Sequence, residues 1–130
     1  MPREDVYPGS PEEWMRFARS DLVLAKEGRL PGVLLDGLCF HAQQAAEKAI
    51  KAVLVRRKVR FPKTHNLRAL LDLLPESNSV PKTIDAATVL TAYAIVTRYP
   101  GGFENITPQT HRRAVRMAAA VVRWAERLAR

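Results

Sequence analysis

The most constraining feature of this sequence is the stretch from Val33 to Lys58, which contains no proline. Its apolar residues recur at helical spacing and together cover more than half of the circumference of an α-helix. Because a helix on a surface needs only one apolar stripe, this pattern predicts a helix roughly 40 Å long that other helices surround. The residues that form the apolar arc are Leu34, Leu35, Leu38, Ala42, Ala45, Ala46, Ala49, Ile50, Ala52, Val53 and Leu54.

Capping and periodicity signals place the other helices around this central one. Ser10-Pro11-Glu12-Glu13 combines an N-cap residue, a proline at the first helical position and a capping box, so a first helix begins there and runs to about Gly28. Helical periodicity also predicts a short helix from Leu67 to Leu74, a helix from Asp85 to Arg98 and a last helix from Thr107 to Leu128. Since no segment shows the alternation of a β-strand, we expect an all-α, up-and-down bundle of four long helices and one short helix.

Length and composition indicate one folded domain. The chain has 130 residues, of which 47% are hydrophobic and 26% charged, so it can bury a core. We expect a single domain over residues 1–130, in which residues 1–9 are an N-terminal extension. The lone cysteine, Cys39, excludes a disulfide framework and fits a buried thiol in a cytoplasmic protein. The sequence shows neither a signal-peptide pattern nor an apolar run long enough for a bilayer, so we expect no membrane partner.

A polar strip lies at the edge of the apolar surface of the central helix. Its members, spaced three, four and three residues apart, are His41, Gln44, Lys48 and Lys51. An imidazole, an amide and two ammonium groups on one side of a helix suit a nucleotide or another anion. The alternative is structural, because Glu47 is placed to pair with Lys51 four residues later while His41 packs at the rim of the core.

The last helix carries a stripe of arginines opposite its apolar face. These residues are Arg112, Arg116, Arg123, Arg127 and Arg130. With a formal net charge of +8, the chain suits an acidic partner such as RNA or an acidic protein. No aromatic residue interleaves with the arginines to stack a base, so sequence-specific reading of a single strand is not expected. The alternative is an ordinary solvated helix face.

The sequence offers few groups for catalysis. Its histidines are His41, His65 and His111, and an imidazole with a guanidinium is the minimum for a metal-free ribonuclease. Arg60 and His65 stand five residues apart but flank a proline, so the spacing does not by itself place both on one surface. A histidine that hydrogen-bonds a backbone group in this loop is the alternative. Without a metal-ligand cluster, a glycine-rich phosphate loop or Gly-x-Ser-x-Gly, we expect no catalytic residue and no metal.

Four motifs follow one another along the chain in a recognisable order. They are Ala18-Arg-Ser-Asp-Leu22 in the first helix, Cys39-Phe-His-Ala-Gln-Gln-Ala-Ala-Glu-Lys-Ala-Ile-Lys-Ala52 in the second, Pro62-Lys-Thr-His-Asn-Leu67 in the connector, and Tyr93 with Arg98-Tyr-Pro100. Over roughly residues 12 to 128, the sequence therefore resembles the HEPN domain, the higher eukaryotes and prokaryotes nucleotide-binding domain. The motif in the central helix is the most specific of the four.

Resemblance to this family implies a helical bundle that usually dimerises. It also implies a partner, since such proteins are often encoded beside a minimal nucleotidyltransferase and in several branches act as the toxin of a toxin–antitoxin pair. The positions that match the family's polar signature, and that would bind a nucleotide such as ATP or the partner, are His41, Gln44, Lys48, His65, Arg98 and Tyr99. A structural alternative remains for two of them: Arg98 closes the C-terminus of its helix and Tyr99 lies in the core.

The sequence departs from the nuclease branches of the family. These carry an arginine, four to six residues and a histidine after a late helix, whereas His111 lies thirteen residues beyond Arg98. We therefore expect a non-catalytic module that dimerises, binds a nucleotide or partner, and accompanies a nucleotidyltransferase. The alternatives are a metal-independent ribonuclease assembled across a dimer, and a basic adaptor that docks an acidic protein without a small ligand.

Overall fold

The computed structural model describes residues 9–27, 31–94 and 106–130, and all regular structure in these ranges is helical. The five α-helices are α1 Pro11–Lys26, α2 Leu35–Arg56, α3 Leu67–Asp72, α4 Lys82–Ala86 and α5 Pro108–Leu128. Two 3-10 segments, Ser77–Ser79 and Ala87–Ala94, lie between α3 and the second gap. The predicted all-α fold is confirmed.

Helix α1 begins as the capping signal predicts. The hydroxyl of Ser10 accepts a hydrogen bond from the Glu13 N–H at 3.2 Å, and the Ser10 N–H donates to the Glu13 carboxylate at 3.0 Å. This reciprocal pair gives the backbone N–H groups of Ser10 and Glu13 hydrogen-bond acceptors and fixes where α1 begins. One face of α1 is buried through Met15, Ala18, Leu22 and Ala25.

Helix α2 is the central element, as its wide apolar arc predicts. It packs against α1, α3, α5 and the 3-10 segment Ala87–Ala94, and its alanines let these neighbours approach closely. Cys39 is buried in this core, where burial, with a smaller contribution from Asp36, raises the pKa of the thiol to about 11. The thiol therefore packs as a small apolar group, in agreement with its predicted role.

The end of α2 is fixed by a Schellman motif. Lys58 adopts a left-handed φ of 58°, while the Val59 N–H donates to the Leu54 carbonyl at 2.9 Å and the Lys58 N–H to the Val55 carbonyl at 3.0 Å. Arg57, one residue earlier, donates to Glu76 at 2.8 Å and to the Leu128 carbonyl at 3.0 Å. The end of α2 is thereby tied to the end of α5.

The predicted helix from Asp85 to Arg98 differs from the structure. It is found as α4, followed directly by the 3-10 segment Ala87–Ala94, and the remainder lies outside the described residues. The Thr88 hydroxyl donates to the Asp85 carbonyl at 2.8 Å, a group that an α-helix would pair with the Val89 N–H. A side chain that competes for a backbone acceptor in this way explains the tighter turn.

No helix in the described parts of the chain is both long and apolar enough to cross a membrane.

Candidate functional site

The polar strip of α2 lies against α1 and against the connector formed by residues 57–66. We call this region the α1–α2 seam, and its polar members are Asp21, His41, Gln43, Gln44, Glu47, Lys48, Lys51 and His65. The seam thus combines four of the predicted site residues on α2 with His65 of the connector. Two carboxylates, one from each helix, organise it.

The first carboxylate is Asp21 of α1. It accepts a hydrogen bond from His41 Nδ1 at 3.0 Å and one from Lys48 Nζ at 2.7 Å. Since a carboxylate can only accept, the Nδ1 atom of His41 carries a proton. The Asp21 side chain is 13% exposed, whereas those of His41 and Lys48 are 33% and 23% exposed, so the two donors form the outer part of this group.

The second carboxylate is Glu47 of α2, whose side chain is only 4% exposed. It accepts hydrogen bonds from Gln43 at 3.1 Å, from Lys51 at 2.8 Å and from His65 Nδ1 at 2.8 Å. Burial disfavours the charged carboxylate, but these donors, Lys51 above all, outweigh burial and hold the pKa of Glu47 below its ordinary value. The Gln43 amide also donates to the His65 carbonyl at 3.0 Å, which anchors the connector to α2.

Lys51 serves this internal network. It is buried, it pairs with Glu47, and its ammonium lies 5.6 Å from the Trp14 ring and 5.4 Å from the Phe61 ring. The contacts match the structural interpretation of this residue, in which Lys51 pairs with Glu47 four residues earlier. A phosphate would therefore have to displace an existing buried ion pair to reach this cation.

Outside the buried network lies an open cleft between α1 and α2. It has a volume of about 360 Å³ and is lined by Arg16, Phe17, Ser20, Asp21 and Lys48. Phe17 is 53% exposed, and the Arg16 guanidinium carbon and the Lys48 ammonium lie 5.7 Å and 5.8 Å from the centroid of its ring. The cleft therefore presents an exposed aromatic ring with two cations close to it.

The remaining predicted residues have different surroundings. Arg98 and Tyr99 lie outside the described residues. His111 is buried, and its Nε2 donates to the Ala25 carbonyl at 2.6 Å, so it joins α5 to the end of α1. The arginine stripe of α5 is exposed and does not line the cleft, and its members are Arg112, Arg116, Arg123, Arg127 and Arg130.

The sequence reasoning missed several residues of the seam. Asp21 was identified only as part of a family motif, and Glu47 only as a partner of Lys51, although each is the acceptor around which other side chains gather. Phe17, which lines the neighbouring cleft, was not singled out from the sequence, and the structure leaves it half exposed. Its angular distance from Met15 and Ala18 on α1 is the signal that could have placed it outside the core.

The residues of the seam offer hydrogen bonds, charges and an aromatic ring. Across the ranges that the structure describes, no three side chains of histidine, cysteine, aspartate or glutamate cluster closely enough to hold a metal ion.

Comparisons with known proteins extend this description. A family model described as HEPN domain matches residues 11–128. The chain is similar to the crystal structure of TT1696 from Thermus thermophilus, with 30% identity and a TM-score of 0.79 over 91% of this chain and 97% of that chain. It is also similar in fold to the crystal structure of ST0689, an archaeal HEPN homologue, with 22% identity and a TM-score of 0.71 over 95% of this chain and 100% of that chain. A comparison with curated protein sequences finds no match.

Proposed function

This chain belongs to the HEPN domain family, and we propose that it is a non-catalytic member that binds a nucleotide in the cleft between α1 and α2. One observation carries the proposal. Phe17 is half exposed and lines a cleft of about 360 Å³ together with Arg16 and Lys48, whose cationic groups lie 5.7 and 5.8 Å from the centroid of its ring. The part of the ring that the cations leave uncovered offers a base an aromatic contact, and the two cations offer phosphate oxygens their counter-ions.

Asp21 and the two cations near it define how such a ligand would sit. Lys48 has three ammonium donors, of which one is used by Asp21, so the others remain for a phosphate. Arg16 is exposed and brings a planar group that can bind a phosphate through two hydrogen bonds. Asp21 repels phosphate groups, and we therefore place them on the Arg16 side of the cleft. ATP is the first ligand to test.

Calorimetric titration with ATP and other nucleotides tests this proposal on the full chain. Replacing Phe17 by leucine removes the ring but keeps an apolar side chain, so we expect affinity to fall about tenfold and tyrosine to restore it. Arg16→Gln should weaken binding by a similar factor. Arg19→Gln is the matched control, because Arg19 is an exposed arginine on the same helix and lies outside the cleft. Equal affinities for Arg16→Gln and Arg19→Gln would contradict the proposed site.

Incubation with RNA in the presence of EDTA tests the proposal that the protein has no ribonuclease activity. His111 is buried, so the accessible imidazoles in the described chain are those of His41 and of His65, which is half exposed. We expect no cleavage. Cleavage that disappears in His65→Ala or His41→Ala would instead establish a metal-independent ribonuclease.

The proposal includes a second protein, a separately encoded nucleotidyltransferase that the chain accompanies as one half of a toxin–antitoxin-like pair. Co-expression with the product of a neighbouring nucleotidyltransferase gene, followed by size-exclusion chromatography, should give one joint peak. Elution of the two proteins as separate peaks, with and without nucleotide, would remove this part of the proposal while leaving the titration result unaffected.

We also propose that the chain forms a homodimer. Exposed aliphatic side chains lie near the end of α1 and just before α2, namely Val23, Leu24, Val33 and Leu34. Leu34 is 72% exposed and is the N-cap of α2, where its side chain makes no capping bond. Aspartate is a good N-cap residue, so Leu34→Asp should keep α2 stable while it weakens an apolar contact. Sedimentation equilibrium should give twice the mass of one chain for the wild type, and less for Leu34→Asp.

A further inference from the structure

Exposed arginines follow one side of α5 over most of its length. We define the α5 arginine ridge as Arg112, Arg116, Arg123 and Arg127, all of which are exposed. At ~1.5 Å per residue the ridge is about 22 Å long and consists of two pairs, each with a separation of about 6 Å along the helix axis. The helix contains a single carboxylate, Glu126.

The ridge is not neutralised within the described chain. Other arginines have acidic partners: Arg57 pairs with Glu76 at 2.8 Å, and Arg68 pairs with Asp85. For the four ridge residues, the described ranges place no carboxylate within ion-pair distance. The one hydrogen bond found there joins Arg127 to the backbone carbonyl of Arg123 at 3.4 Å. With respect to the described residues, the ridge therefore keeps its full positive charge.

Neighbouring elements add polar groups to the ridge at both ends. A cleft of about 230 Å³ brings Lys26 of α1 beside Arg112 and Arg116. At the other end, a cleft of about 240 Å³ lies between α4 and α5, where Thr83 adds a hydroxyl near Arg123 and Arg127. Each arginine pair thus borders a recess that a phosphate group can enter.

We propose that the α5 arginine ridge binds the phosphate backbone of a duplex nucleic acid without reading its sequence. A protein partner would need apolar anchors in the centre of the interface. The large exposed apolar residues of the described chain lie elsewhere, and they are Phe17, Val23, Leu24, Val33, Leu34, Leu73 and Val89. A surface of arginines without such anchors matches the contacts that dominate binding to a phosphate backbone.

The same surface favours a duplex over a single strand. A flexible strand is ordered on binding, and proteins offset that cost by stacking its bases on aromatic rings. The aromatic residue of α5 is Trp124, which is 6% exposed and therefore belongs to the core. A duplex already holds its phosphates in fixed positions and needs only the charges. This function is separate from the nucleotide cleft, whose lining residues the ridge does not share.

Fluorescence anisotropy with a short labelled duplex tests the proposal in a salt titration. Four phosphate contacts give a slope of about −3.6 in a plot of log affinity against log salt, which is roughly a 100-fold loss between about 50 and about 200 mM. The ridge variant Arg116→Gln/Arg123→Gln should lower the magnitude of the slope by about 2 and weaken binding at least tenfold. The control Arg19→Gln/Lys63→Gln loses the same charge at exposed positions outside the ridge and should keep the wild-type slope.

Three results would overturn the proposal. One is an equal loss of affinity in the ridge and control variants, which would show that only net charge matters. Another is displacement of the duplex by an equal charge concentration of poly-glutamate, which would make the ridge a surface for acidic proteins. The third is tighter binding of a single strand than of its duplex. Retained nucleotide binding by the ridge variant keeps this test separate from that of the cleft.

Discussion

The α1–α2 seam and the α5 arginine ridge start from similar sequence patterns but have opposite surroundings. In both, basic side chains repeat at helical spacing along one helix. In the seam, Asp21 and Glu47 accept hydrogen bonds from Lys48, Lys51 and the two neighbouring histidines. The ridge has no such acceptors among the described residues. Spacing along one helix thus shows which side chains lie together, whereas the charge that faces them depends on the other helices.

This difference separates two uses of charge. Buried, paired charges such as Glu47 and Lys51 are coupled to folding, because removal of one leaves the other in a poorly hydrated place. Exposed, unpaired charges contribute little to folding and act mainly in association. We therefore expect substitutions in the seam to change stability, and substitutions in the ridge to change binding alone.

The largest effect is expected for Glu47→Ala. The substitution leaves the buried Lys51 ammonium without its acceptor and removes one of the two acceptors of the Gln43 amide, so the free energy of unfolding should fall by about 3–5 kcal/mol. Urea denaturation measures the change. The double variant Glu47→Leu/Lys51→Met removes both charges and should recover a large part of the loss. A single substitution that costs less than about 1 kcal/mol would show that the seam is not a coupled network.

The pH dependence of stability should also report Glu47. Its pKa is lowered by folding, so its contribution is fully present above the ordinary glutamate pKa of about 4.3 and is lost as the pH falls through the lower folded value. The difference in stability between wild type and Glu47→Gln should therefore shrink in acid below that ordinary value. A difference that stays constant down to the acid unfolding of the protein would contradict this assignment.

A smaller effect is expected for Asp21→Asn. His41 and Lys48 lose their carboxylate, but both are partly exposed and regain water, so we expect a loss of about 1–2 kcal/mol. The matched control is Asp72→Asn, because Asp72 is 63% exposed and lies 3.7 Å from Arg68. That pair should contribute at most about 0.5 kcal/mol. If thermal or urea unfolding shows equal losses of stability for the two variants, Asp21 contributes no more than an ordinary surface ion pair.

Much of the fold followed from local signals in the sequence. The capping box at Ser10 and the wide apolar arc of α2 are properties of single segments, and both predictions are confirmed. The exception is Leu34, predicted as part of the buried arc, which precedes α2 as its N-cap and is 72% exposed. The 3-10 segment was not predicted, because it depends on the Thr88 hydroxyl and on a second threonine, Thr91, that accepts a bond from the Leu67 N–H at 3.0 Å. Helical periodicity alone does not contain that tertiary contact.

The candidate site was less predictable for the same reason. The spacing of His41, Lys48 and Lys51 correctly placed them on one side of α2, but the ligand that such a strip suits depends on what lies across from it. Asp21 stands twenty residues from His41 along the chain, and only the packing of α1 on α2 brings them within 3.0 Å. The part of the site that is open to a ligand is the cleft beside Phe17, and residue spacing in the sequence does not identify this cleft.

The smallest effect on stability is expected in the ridge, for Arg116→Gln/Arg123→Gln. Both side chains are exposed, so the free energy of unfolding should change by at most about 0.5 kcal/mol. Like charges four residues apart repel each other, so a slight stabilisation at low salt that disappears at high salt is the expected sign. Urea denaturation at two salt concentrations measures the size of the change in unfolding free energy and its dependence on salt. A loss above about 1 kcal/mol would mean that the fold uses these guanidiniums internally, and the contrast between the seam and the ridge would then fail.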